Sequence, residues 1–98
     1  LPVFHKFPVE PSDKVQYLEL PGRSEIVSAI DQDGQVMIYA LVHHPEWSKE
    51  NVPFLCVGTG WNLNLPSDLE IDKVVGAVRI GRYVWHVLSL QEIDKLPF

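Results

Sequence analysis

Turn-forming residues set the outer bound on what this chain can fold into. Eight prolines and six glycines are spread over 98 residues, and they cut it into short apolar stretches at intervals of about 8 to 12 residues. A helical bundle needs longer uninterrupted stretches with a 3.6-residue period. Segments this short, rich in Val, Ile, Tyr and Trp and often alternating in polarity, are strands. The expectation is one domain over residues 1–98, all-β, with about five to seven antiparallel strands in a small sandwich or open barrel and at most one short helix.

The strands can be placed one by one. Val3 to Val9, "VFHKFPV", alternates and is closed by Pro8 and Pro11, which suits an edge strand because proline gives no N–H to a ladder. Val15 to Leu20 runs into the turn signal Pro21-Gly22,. Ser24 to Ile30 and Gln35 to Val42 flank Asp31-Gln32-Asp33-Gly34. Gly34 can take the positive φ that closes a hairpin there. His43 to Asn51 is the most polar insertion and reads as an exposed loop, with Pro45 to Glu50 as a single helical turn,. Pro53 to Gly58 is continuously apolar, as a strand buried on both faces would be. Pro66-Ser67-Asp68 opens another turn,.

A second hairpin pairs Lys73 to Ile80 with Tyr83 to Leu90 through the two-residue loop Gly81-Arg82,. That register sets Ile80 opposite Tyr83, Val78 opposite Trp85 and Gly76 opposite Val87 on a core face. Arg79 with Val84 and Ala77 with His86 fall on the other, wetter face. Gln91 to Phe98 reads as a short helix or a strand offered to a partner.

Charge and cysteine content narrow the functional classes. Thirteen acidic against eight basic residues leave a net charge of −5, which opposes the phosphate backbone of nucleic acid as a direct partner. No apolar run approaches the roughly 20 residues of a membrane helix. The first residues lack the basic and apolar regions of a signal peptide, so a cytoplasmic location is expected. The single Cys56 can form neither an internal disulfide nor a thiolate zinc cluster. Between Leu55 and Val57 it reads as a small core residue, without the electropositive setting of a nucleophile.

Metal and acid–base chemistry are poorly supported. His43 and His44 are adjacent and on a strand would point to opposite faces, and no HExxH or cysteine–histidine spacing is present. Neither a metal nor a cofactor is expected. The pairs Asp31 with Asp33 and Asp68 with Glu70 fall in turns, where aspartate serves backbone hydrogen bonding. No catalytic residue is assigned.

The candidate site is "VGTGW", Val57 to Trp61. Gly58-Thr59-Gly60 could aim successive amides at an anion. It has no P-loop lysine or spacing and no following helix, and the favoured reading is a central strand that must turn sharply. Trp61 and Trp47 lie in loops, where an aromatic either caps a core or offers a contact surface, and Trp85 is expected in the core. Gly58, Thr59, Gly60 and Trp61, with His86, are the candidate ligand- or partner-binding residues.

Five segments in order, "VFHKFPV", "LELPGRSEIVSA", "DGQVMIYALV", "FLCVGTGW" and "YVWHVLSL", resemble a family of short uncharacterised proteins of phages and prophage regions. The "GAVRIGR" hairpin region and the tail from Ser89 to Phe98 depart from it. The resemblance implies no catalytic residue. It implies a setting: a non-enzymatic accessory protein in the bacterial cytoplasm that binds a host protein or blocks a host defence system. A homo-oligomer is expected, because a small core leaves strand edges and three tryptophans to cover. Two alternatives stand beside it, a sponge for a small anionic nucleotide and, more weakly, a small hydrolase using His86 or Cys56.

Overall fold

The computed structural model describes residues 1–93, all of whose regular structure is β. Its seven strands are β1 (Val3–Val9), β2 (Ser12–Pro21), β3 (Glu25–Gln32), β4 (Gln35–Val42), β5 (Lys49–Gly58), β6 (Leu69–Ile80) and β7 (Tyr83–Glu92). They form two open antiparallel sheets, ordered β1-β4-β3 and β2-β5-β7-β6. The all-β sandwich expected from the spacing of turns is what forms, and no helix occurs among the described residues.

The core lies between the sheets. Alternate residues of β4, namely Val36, Ile38, Ala40 and Val42, are buried against the second sheet,. Val36 and Ile38 join Val9 and Ile26 of their own sheet and Phe54, Cys56, Val78 and Val87 from across the interface in one cluster. Ala40 and Val42 join Leu20 in another. Being apolar on both faces, β5 sends Leu55 and Val57 outward, where Leu69, Leu88 and Leu90 bury them and the connection after β5 lays Leu65 on top. That second cluster is why "PFLCVG" lacks alternation.

Several expected details hold. β1 is an edge strand, paired along its length with β4 alone. The β6–β7 hairpin has the expected register, with Ile80, Val78 and Gly76 opposite Tyr83, Trp85 and Val87. Arg79 and Ala77 are exposed and His86 half-buried on the other face. Others change. The loop between β3 and β4 is only Asp33-Gly34, both at positive φ (53° and 81°), which is the left-handed pair of a tight hairpin turn. Asp31 remains in β3 and its Oδ1 accepts the Gly34 N–H at 2.8 Å.

The helical turn expected over Pro45 to Glu50 does not form. One turn, with the Trp47 N–H donating to the His44 carbonyl at 3.0 Å, leads straight into β5. Lys49, Glu50 and Asn51 pair with Pro21, Leu20 and Glu19 of β2, so ladder hydrogen bonds capture a polar stretch that has the composition of a loop. Trp85 is half-buried and packs against the core from its edge rather than inside it. Of the tail, Gln91 and Glu92 complete β7, and the part beyond Ile93 lies outside the described residues.

Candidate binding site at the end of the β5 strand

The stretch Gly58 to Trp61 is a turn with a product. Gly60 has φ 88°, and the Trp61 N–H donates to the Gly58 carbonyl at 3.2 Å. A four-residue turn with positive φ at its third position calls for glycine there. The Trp61 amide is thereby used inside the turn, which weakens the expectation of an anion nest. Gly58 is needed for a different reason. A Cβ on it would lie 2.9 Å from Nε1 and Cε2 of Trp61 and 3.1 Å from Cζ3 of Trp85. The indole of Trp61 therefore folds back onto the strand end and occupies the place of a side chain.

Three aromatic rings gather there. Trp61 meets Trp85 edge to face, with centroids 5.6 Å apart and planes at 75°, and Tyr83 lies 5.9 Å from Trp85 at 25°. Tyr83 and Trp85 are two apart on β7, so they share a face. Arg82 places its Cζ 6.0 Å from the Tyr83 ring centre, the reach of a cation–π contact. Trp61 and Tyr83 remain 43 and 59% exposed. Edge-to-face and offset pairs of this sort contribute about 0.5–1.5 kcal/mol beyond area burial, enough to hold exposed rings in place.

Trp61 lines two open clefts. One, of about 470 Å³, is bounded by Gly58, Thr59, Arg82, Tyr83, Val84 and Trp85. The other, of about 600 Å³, is bounded by Ser12, Asp13, Gly60, Asn62 and Asn64. Ser12 and Asp13 come from an irregularity in β2. Ser12 pairs with Cys56 and Gln16 with Phe54, so Asp13, Lys14 and Val15 stand against Leu55 alone. The Lys14 N–H donates to Ser12 Oγ at 3.1 Å across that bulge, and bulges commonly redirect side chains in this way.

Of the five candidate residues, Gly58, Thr59, Gly60 and Trp61 line these clefts and His86 does not. His86 pairs with Val57, on the face of the sheet opposite to Trp85. Its Nε2 is joined to Thr59 Oγ1 at 2.7 Å, so it braces the turn from behind. Sequence reasoning missed Tyr83, Arg82 and the Asn62, Asn64, Ser12 and Asp13 group. The Tyr-x-Trp spacing beside Gly81-Arg82 was a usable signal for the first two. Nothing local marks Ser12 and Asp13, which arrive through the bulge.

A second cluster sits by the turn after β2. Arg23 has φ 65° where glycine would be easier, and its Cζ lies 5.9 Å from the Trp47 ring centre. Trp47 stacks on His44 at 3.8 Å and 8°. His43 Nε2 donates to Glu25 Oε1 at 3.0 Å, and Lys73 Nζ lies 3.7 Å from Glu25 Oε2. The hydrogen bond from His43 is the main reason the Glu25 carboxyl falls below its usual pKa; desolvation opposes it, and Lys73 adds to it. No grouping of three or more metal-ligating side chains occurs among the described residues. Burial, with a smaller contribution from Glu10, pushes the Cys56 thiol up to about 11.

Comparison with known proteins places the chain in one family. Residues 2–95 match the model of a domain of unknown function, DUF7352, and the chain belongs to that family. No curated protein matches it, and no solved structure does.

Proposed function

Taking membership of that family as the premise, we propose that the chain is a non-enzymatic binding protein whose recognition surface is the rim formed by Trp61, Tyr83 and Trp85. The observation that carries this reading is the convergence of three aromatic rings, two of them exposed, at the Gly58 end of β5. Exposed aromatics held in fixed orientation are typical anchors of a binding surface. The phage-like motifs of the sequence supply the setting: an accessory protein in the bacterial cytoplasm, acting on a host factor or host defence. The hydrolase reading is weaker on two counts. The Cys56 thiol is buried and its thiolate disfavoured,, and His86, whose ring is bonded to Thr59, lines neither cleft.

Homo-oligomerisation belongs to the same proposal. Tyr39 and Leu41 of β4, with the buried Met37, lie on the outer face of their sheet,, and the cross-strand neighbours of these residues include Ile30 and Phe4, which are 43 and 62% exposed.

The test is retention of a bacterial partner by immobilised protein. Wild type and Trp47→Ala should retain the same stoichiometric component, and a Trp61→Ala/Tyr83→Ala double variant should lose it. Equal retention by all three would contradict the assignment of the rim.

A further inference from the structure

Trp61 separates two clefts of different chemistry, and the one on its Asn62 side does not fit an anion. Its lining carries one formal charge, the carboxylate of Asp13, on a chain of net charge −5. A phosphate or carboxylate placed there meets repulsion and no cation in that lining. What the lining does offer is uncharged or acceptor hydrogen-bonding capacity around one aromatic plate. Each Asn amide supplies two donors and an acceptor, Asp13 supplies acceptors, and a serine hydroxyl does both.

Those groups are free to be used. Among the described residues Asp13, Asn62 and Asn64 make no side-chain hydrogen bond within the protein, and Ser12 Oγ accepts one bond from Lys14 and keeps its proton to donate. The plate is preformed. Gly58 lets the indole lie against the strand end, and Trp85 holds it edge on. A ligand therefore orders little on binding, which keeps the entropic cost low.

We propose that this cleft binds a neutral carbohydrate, with Trp61 stacking on a sugar face and Ser12, Asp13, Asn62 and Asn64 taking its hydroxyls. A sugar ring has the matching duality. One face presents C–H groups to the negative face of an aromatic ring, and its rim carries hydroxyls that each donate and accept. The inference rests on the binding-protein reading and adds a ligand for the cleft that shares Trp61 with the aromatic rim but lies on its Asn62 side. A nucleotide, the other small ligand with a stacking face, would leave its phosphates facing Asp13.

The experiment is a titration of the protein's tryptophan fluorescence with neutral tetrasaccharides (maltotetraose, cellotetraose, chitotetraose and mannotetraose), beside an immobilised panel of neutral and anionic bacterial glycans and free nucleotides. Saturable binding of at least one neutral glycan is expected, little changed by added salt. Trp61→Ala should weaken it at least about tenfold, and the exposed pair Asn62→Ala/Asn64→Ala, which leaves the core untouched, about fivefold or more. Trp47→Ala should leave it unchanged. Binding of anionic ligands alone, binding of no neutral glycan, or binding indifferent to both Trp61 and the asparagines would each overturn the proposal. If sugars fail while a lysate partner still depends on Trp61 and Tyr83, the carbohydrate assignment falls and the binding-protein reading stands.

Discussion

Gly58 is the residue on which the site turns. Its φ needs no glycine, yet a methyl group there would sit 2.9 Å from the Trp61 indole. Gly58→Ala should therefore displace Trp61 and break its contact with Trp85. The expected cost is about 1–3 kcal/mol, typical of overpacking, with a changed tryptophan emission spectrum; denaturant unfolding followed by fluorescence checks both. Cys56 gives a second outcome at this scale. With its thiol buried and raised to about 11, it should react with a disulfide reagent only when the protein is unfolded, and fast labelling of the native protein would contradict its placement. The two glycines of "GTG" were legible to different degrees. Gly60 could be assigned from turn chemistry alone, because a positive φ is a local requirement. Gly58 could not, because its reason is a ring that returns from three residues ahead.

At the scale of elements, both hairpins were legible from their turn residues, the second with its register and the first with a loop two residues longer than the one that forms. Asp33, Gly34 and Gly81 take a positive φ, which only a few residue types adopt readily,. What hid was the start of β5, where Lys49 to Asn51 are strand by pairing and not by pattern, and the bulge that turns Asp13 outward. Arg23 shows a local preference overridden. At φ 65° it occupies a left-handed position that costs a residue with a side chain about 1–2 kcal/mol relative to glycine,. Arg23→Gly should therefore raise stability or leave it unchanged despite the lost contact with Trp47, and thermal unfolding would show it.

Glu25 ties the edges of the two sheets, from β3 to Lys73 of β6. Its folded pKa is lowered, chiefly by the His43 hydrogen bond and further by Lys73, so its contribution is present above the unfolded value and is lost as pH falls through the folded one. Glu25→Gln should flatten the acid limb of stability below about pH 4.5. The effect should stay below about 1 kcal/mol, since the pair is half exposed and screened by water. A melting series across that range reads it directly.

For the whole molecule, the two sheets differ in what covers their outer faces. The β5–β6 connection lays Leu65 over part of one of them, which still shows Val74, whereas the other shows Phe4 and Ile30 to solvent. If that face joins copies, Phe4→Asp with Ile30→Asp should shift the protein to monomer in light scattering, while a wild-type monomer at high concentration would remove the oligomer from the proposal. The opposite ends of the sandwich differ as well, with Trp61, Tyr83 and Trp85 at one and Trp47 with Arg23 and His44 at the other. The central claim is that recognition happens at the first. The most direct measurement is the indole N–H spectrum of ¹⁵N-labelled protein in clarified bacterial lysate, compared with buffer. Shifted or broadened signals of Trp61 and Trp85 with Trp47 unmoved are the predicted result; movement of Trp47 alone, or of none of the three, would contradict it.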